Sequence, residues 1–150
     1  MIEFPLSIKR VLVTGGGGFI GGSLIRRLLE NTKLKVFNLD KLGYASNLDS
    51  INNLISSKNI SDERYVFIHA DLADSNSTKS AISLSDPDLV FHLAAESHVD
   101  KSISGPEAFI QSNIIGTYNL LEALKQHWQN LSSERKSQFR LLHISTDEVF

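Results

Sequence analysis

Apolar and polar positions along the chain fall into short blocks of two alternating kinds. Ile8 to Thr14 is a brief apolar run centred on Val11, Leu12 and Val13 that passes straight into glycines, the pattern of a buried strand. From Gly18 to Glu30 the apolar residues Phe19, Ile20, Leu24, Ile25 and Leu28 recur at helical spacing. Strand-like runs follow at Leu34 to Asp40, Tyr65 to Ala70, Asp88 to Ala94 and Phe139 to Ser145, with helices predicted near Asn47 to Ser56, Ser75 to Leu84 and Pro106 to Gln126. Such alternation predicts an α/β fold, a Rossmann-type doubly wound parallel sheet, because right-handed crossovers carry helices to both faces. Ser56 to Arg64 and Asn130 to Gln138 read as polar surface connections. The stripe Phe109, Ile110, Ile114, Thr117, Leu120, Leu121 and Leu124 is expected to be mostly core, with any excess free to pair with a partner subunit.

Composition narrows this picture. The 150 residues fit one domain, 41% apolar and 21% charged with a net charge of −2, as in an ordinary globular protein. Lysines and arginines are scattered among a slight excess of acids, so no basic face for nucleic acid is expected. No run is long and apolar enough for a membrane span, and the start resembles no signal peptide. The absence of cysteine removes disulfides, thiolate metal sites and thiol nucleophiles, and is compatible with a cytoplasmic setting.

Gly15, Gly18 and Gly21 lie between the first strand and the first helix, the context that a dinucleotide fingerprint requires. The first glycine allows a tight turn, the second lets backbone approach a pyrophosphate, and the third lets helix pack on strand. The helix N-terminus adds free N–H groups and partial positive charge. Asp40 closes the second strand, where the fingerprint places the acid that accepts from ribose hydroxyls. Its carboxylate would repel a 2′-phosphate, which favours NAD over NADP, whereas Lys41 works the other way. Asp71, after the third strand, is either a cap or loop acid or an acceptor for an adenine amino group.

After the fourth strand, Ala94 and Ala95 would let a cofactor lie close to the backbone. Glu96, His98 and Asp100 alternate without a fourth ligand, so hydrogen bonding around cofactor and substrate is preferred to a metal site. Asp147 and Glu148 follow the fifth strand. They serve one substrate only if the ladder ends and the backbone turns, and they are then either a solvated acidic turn or an acid and a base.

Four strings make a resemblance specific: Thr14 to Gly21, Asp40 to Ala45, His92 to Asp100 and Ser145 to Val149. They closely resemble the dTDP-glucose 4,6-dehydratase family of the extended short-chain dehydrogenase/reductase superfamily, and the likeness spans nearly the whole chain. The resemblance implies that Phe19 and Ile20 meet NAD behind the glycines, that Asp40, Lys41, Leu42 and Gly43 surround the adenosine ribose, and that Asp71 and Leu72 hold the adenine. It further implies that Leu93, Ala94, Ala95, Glu96 and Ser97 line the nicotinamide side, and that Ser112 offers a hydroxyl to the cofactor where the family usually has Thr. Ser97 and Thr146 would touch the sugar nucleotide. In the family's reaction, hydride leaves C4 for NAD, Glu148 removes the C5 proton, Asp147 protonates the departing C6 hydroxyl, and hydride returns to C6. Departures from the pattern are Gly43 for Thr, Ser46 for Gly, Lys101 for Arg and Phe150 for Tyr.

The family's Tyr, four residues before a Lys, is not met, since neither Tyr44, Tyr65 nor Tyr118 has Lys at that spacing. The chain is therefore expected to be an N-terminal portion, its sheet incomplete at the C-terminus and its sugar-nucleotide domain absent. Such a portion would bind NAD without turnover, and a complete chain would pair as a homodimer. Epimerases and other sugar-nucleotide dehydratases share the glycine loop, and a truncated nucleotide-binding module without catalysis is a further alternative.

Overall fold

The computed structural model describes residues 4–5, 7–97 and 105–145. Its strands are β1 (Arg10–Thr14), β2 (Lys35–Asp40), β3 (Tyr65–His69), β4 (Leu89–His92) and β5 (Arg140–His143). All pair in parallel in the order β3-β2-β1-β4-β5. The chain winds outward from β1 in one direction and then returns to wind the other way. The reversal opens a crevice between β1 and β4, beyond the carboxyl ends of the strands.

Side-chain alternation explains why both faces are covered. Val11 and Val13 pack with Ile25, Leu28, Val36 and Ile51 under helices α1 (Phe19–Asn31) and α2 (Asp49–Lys58). Leu12, Phe37, Leu39 and Val90 point the other way, onto Ala81, Ile82, Leu120 and Leu124. Those last residues belong to α3 (Ser75–Ser85) and α5 (Thr117–Asn130). Each fully buried aliphatic side chain contributes about 1.5–3 kcal/mol, so the central strand is the most strongly anchored.

Two expectations need correction. The segment Asn130 to Gln138 is not simply a connection: it contains helix α6 (Ser133–Gln138), capped by Ser132, whose hydroxyl accepts from Arg135 N. Its polarity concealed it, because a one-and-a-half-turn surface helix needs no apolar stripe. The helix from Pro106 is also not continuous. After a single turn, α4 (Pro106–Phe109), the backbone widens into a π-helical stretch, Ile110–Gly116, before α5 begins. The apolar stripe is split between core and surface. Leu120 and Leu124 are buried, whereas Ile110, Ile114, Tyr118 and Leu121 are exposed.

Candidate functional site

The strand β1 ends at Thr14, and Gly15 turns the chain with φ of +72°, which an L side chain rarely adopts. A Cβ on Gly15 would lie 2.7 Å from the Ala94 backbone, and one on Gly21 would lie 2.2 Å from the Gly15 carbonyl. Gly18 differs. Its Cβ would meet only the Gly15 carbonyl, at a tight 3.3 Å, so the protein itself excludes a side chain there much less strongly. Gly18 is also the N-cap of α1 and gives no side-chain cap, so the first amides of the helix remain available to an anion.

Sequence reasoning named three glycines, but Gly16 and Gly17 are crowded too, by side chains rather than backbone. A Cβ on Gly16 would run into Asn38 Oδ1 at 2.0 Å, and one on Gly17 would approach the Asp40 carboxylate at 2.9 Å. Gly17 N donates to Asp40 Oδ2 at 2.8 Å. Asp40 Oδ1 accepts from Leu42 N at 2.7 Å and from Ser46 Oγ at 2.9 Å. The carboxylate at the end of β2 is thus held in place from three sides. Ser46, one of the departures from the family pattern, supplies one of those bonds.

Beneath the crevice lies a buried network that no motif announced. His92 is 2% exposed, its Nδ1 2.7 Å from Thr14 Oγ1 and its Nε2 3.0 Å from Thr117 Oγ1. Ala94 N donates to the same Thr14 hydroxyl at 3.3 Å. The network ties the last residue of β1, the exit of β4 and the start of α5 together directly under the glycine turn. Burial and the neighbouring His143 push the His92 pKa down from 6.5 to about 4, so the ring is neutral near pH 7.

The resulting crevice has a volume of about 420 Å³. One wall carries Gly15, Gly18, Phe19, Ile20 and Gly21, another Asp40, Lys41 and Gly43, and a third Leu93, Ala94, Ala95, Glu96 and Ser97. Asp71, Leu72 and Ser112 close the remaining side, joined by Tyr44, Ala45 and Ser46, which the sequence reading had not singled out as site residues. Leu42 does not line it; with φ of 55°, it contributes a backbone N–H to Asp40 instead. Asp71 Oδ1 accepts from Ala73 N at 2.9 Å, while the cap of α3 is Asp74, held below the usual carboxylate range by the N–H groups of Ser77 and Asn76. Phe19 and Ile20 are 95% and 64% exposed. Apolar side chains so open at the mouth of a crevice fit the flat face of a dinucleotide.

Thr146, Asp147 and Glu148 lie outside the described residues, as do His98, Asp100, Lys101 and Phe150. The β4–β5 ladder ends at His92 and His143, and Ile144 lines the crevice just beyond it.

A parallel sheet with its winding reversed between β1 and β4, and a glycine turn and Asp40 at that reversal, defines a Rossmann-type nucleotide-binding domain. The family described as GDP-mannose 4,6 dehydratase matches residues 12–150, and the chain belongs to it. Over 141 residues it is 51% identical to a dTDP-glucose 4,6-dehydratase from Shigella flexneri, covering 94% of this chain and 38% of that protein. A Neisseria gonorrhoeae protein of the same name is 46% identical over 142 residues, covering 95% of this chain and 40% of that one. The chain thus spans well under half the length of these curated relatives. Among solved structures, a dTDP-glucose 4,6-dehydratase from Streptomyces venezuelae, crystallised with NAD, superposes with TM-score 0.75 at 36% identity, over 93% of this chain and 40% of that one. A UDP-glucose-4-epimerase from Stenotrophomonas maltophila, also with NAD, gives 0.72 at 27% identity, over 94% and 38%.

Proposed function

We propose that this chain is the NAD-holding part of a dTDP-glucose 4,6-dehydratase, which converts dTDP-glucose to dTDP-4-dehydro-6-deoxyglucose with loss of water. The observation that carries this reading is the 51% identity to a protein of that name across 94% of the chain. The crevice supports it. Gly18 leaves room for a pyrophosphate, the uncapped start of α1 offers amides to it, and Asp40 stands where a ribose is expected. Phe19 and Ile20 cover the dinucleotide, Gly43 and the backbone of Lys41 flank its ribose while Leu42 steadies Asp40 from behind, and Asp71 and Leu72 hold the adenine. Leu93 to Ser97 and Ser112 line the remainder of the cofactor. A bound NAD would supply the hydride acceptor and donor for the reaction. Ser97 and Thr146 orient the sugar while a base of the longer protein accepts the C4 hydroxyl proton; Glu148 takes the C5 proton, Asp147 gives a proton to the leaving hydroxyl, and C5 is reprotonated as hydride arrives at C6. This work requires two carboxylates in different protonation states.

On this reading the chain alone binds NAD without turnover, because it covers only 38% of its relative's length. The longer protein pairs as a homodimer through the exposed Ile110, Ile114, Tyr118 and Leu121 face, in a cytoplasmic setting that suits a chain without cysteine. Calorimetric titration of the chain with NAD is expected to give saturable heat, and none at millimolar NAD counts against the cofactor. In the longer protein, Asp147→Asn and Glu148→Gln are expected to spare C4 oxidation and block water loss. Persistent dehydration in both variants shows the assigned roles to be wrong, and inversion at C4 in place of water loss points to an epimerase.

A further inference from the structure

We infer that Glu96 and Ser112 set the dinucleotide preference indirectly, by holding the Lys41 ammonium away from the adenosine ribose. The inference rests on the NAD reading above and concerns a question that reading leaves open. A cation directly after the β2 acid is what a 2′-phosphate needs, and Lys41 occupies that position. Its side chain turns across the crevice instead. Lys41 Nζ lies 2.9 Å from Glu96 Oε1 and 2.6 Å from Ser112 Oγ, on the exit of β4 and on the π-helical stretch.

This anchorage is prepared in advance. Asn113 brackets the Glu96 backbone, its Oδ1 accepting from Glu96 N at 2.8 Å and its Nδ2 donating to Glu96 O at 2.9 Å. The position of Glu96 therefore does not depend on its own carboxylate. The pair is partly desolvated, with Glu96 17% and Lys41 34% exposed, so it holds more firmly than a fully hydrated surface pair. Among the described residues lining the crevice, Asp40, Asp71 and Glu96 are the carboxylates and Lys41 is the sole cation. With Lys41 engaged by Glu96, a 2′-phosphate beside Asp40 meets negative charge without compensation. Once released, the long flexible Lys41 stem can swing toward the ribose.

Titrating the protein with NAD and with NADP at low salt, where screening is weak, tests this. Glu96→Gln is expected to move the ratio of the two dissociation constants toward NADP by about tenfold. Adding Lys41→Met to Glu96→Gln is expected to remove that gain. Ser112→Ala keeps the carboxylate and loosens the same anchor, and is expected to shift the ratio about two- to threefold in the same direction. An unchanged ratio in Glu96→Gln that still binds NAD overturns the inference. So does a gain that survives Lys41→Met, because it then comes from deleting a carboxylate rather than from freeing the lysine. If Glu96→Gln does not fold, an unchanged ratio in Ser112→Ala is decisive against it. Failure of the unsubstituted protein to bind either dinucleotide sinks the cofactor reading itself, an outcome distinct from NAD binding with an unmoved ratio.

Discussion

The two ends of the parallel sheet differ in what they leave open. At the amino ends of the strands, Asp88 accepts from Lys9 N, Arg10 N and Arg135 Nε at 2.9, 3.0 and 2.9 Å. Asp86 pairs with Arg10 and Arg135, and His127 Nε2 reaches the Pro87 carbonyl at 2.9 Å. Burial works against the Arg135 charge, but its bonds to Asp88 and Asp86 outweigh that and raise its pKa above the ordinary value. This end uses its polar groups on itself, clamping α6 to β4. At the carboxyl ends, the start of α1 has no side-chain cap and the apolar Phe19 and Ile20 stand open. Helix amides and apolar side chains left open at one end, and a closed cluster of ion pairs at the opposite end, separate a binding surface from a structural one within a single sheet.

That contrast can be broken by substitution. The largest effect is expected at Gly21→Ala, whose new methyl would sit 2.2 Å from the Gly15 carbonyl with only backbone to yield. A loss of more than about 3 kcal/mol, or failure to fold, should appear in chemical denaturation. Next comes acid. His92 stays neutral in the fold down to about pH 4 but protonates near 6.5 when unfolded. Its share of stability is therefore complete above pH 6.5 and lost as pH falls toward 4, amounting to about 3 kcal/mol. Unfolding free energies followed from pH 7.5 to 4 should slope less steeply in His92→Gln, and equal slopes would refute the assignment.

Smaller effects separate the two ends more sharply. Gly18→Ala is expected to cost under about 1 kcal/mol of stability yet weaken NAD binding about thirtyfold, because its methyl asks the Gly15 carbonyl to give only slightly but stands at the start of α1, where the pyrophosphate is proposed to bind. Arg135→Ala is expected to do the reverse, lowering stability by about 1 kcal/mol with NAD affinity unchanged. If Arg135→Ala alters affinity as much as Gly18→Ala does, the two ends are coupled and the contrast between them fails.

Much of this was legible along the chain. Five apolar runs from Ile8 to Ser145, alternating with helical stretches, were enough for a doubly wound sheet, because burial on two faces demands apolar residues on both sides of each strand. The glycine turn and Asp40 were legible because special backbone geometry and a chain reversal restrict residue choice locally. Helix α6 and the π-helical stretch were not, since neither carries a distinctive period. His92 was hidden because a buried histidine looks like any other until the hydroxyls of Thr14 and Thr117 are brought to its two nitrogens from 78 and 25 residues away.

The amino-acid sequence by itself determined the order of the five strands and of the longer helices between them, the glycine turn and the acid at the end of β2, because each depends on neighbours in the chain. Only the tertiary structure decided that Gly16 and Gly17 are crowded by the Asn38 and Asp40 side chains, that Ser46 helps to hold Asp40, and that Lys41 is engaged by Glu96 and Ser112. Those are relations between residues far apart in sequence. Their energies come from distances that the sheet fixes and that no local pattern encodes.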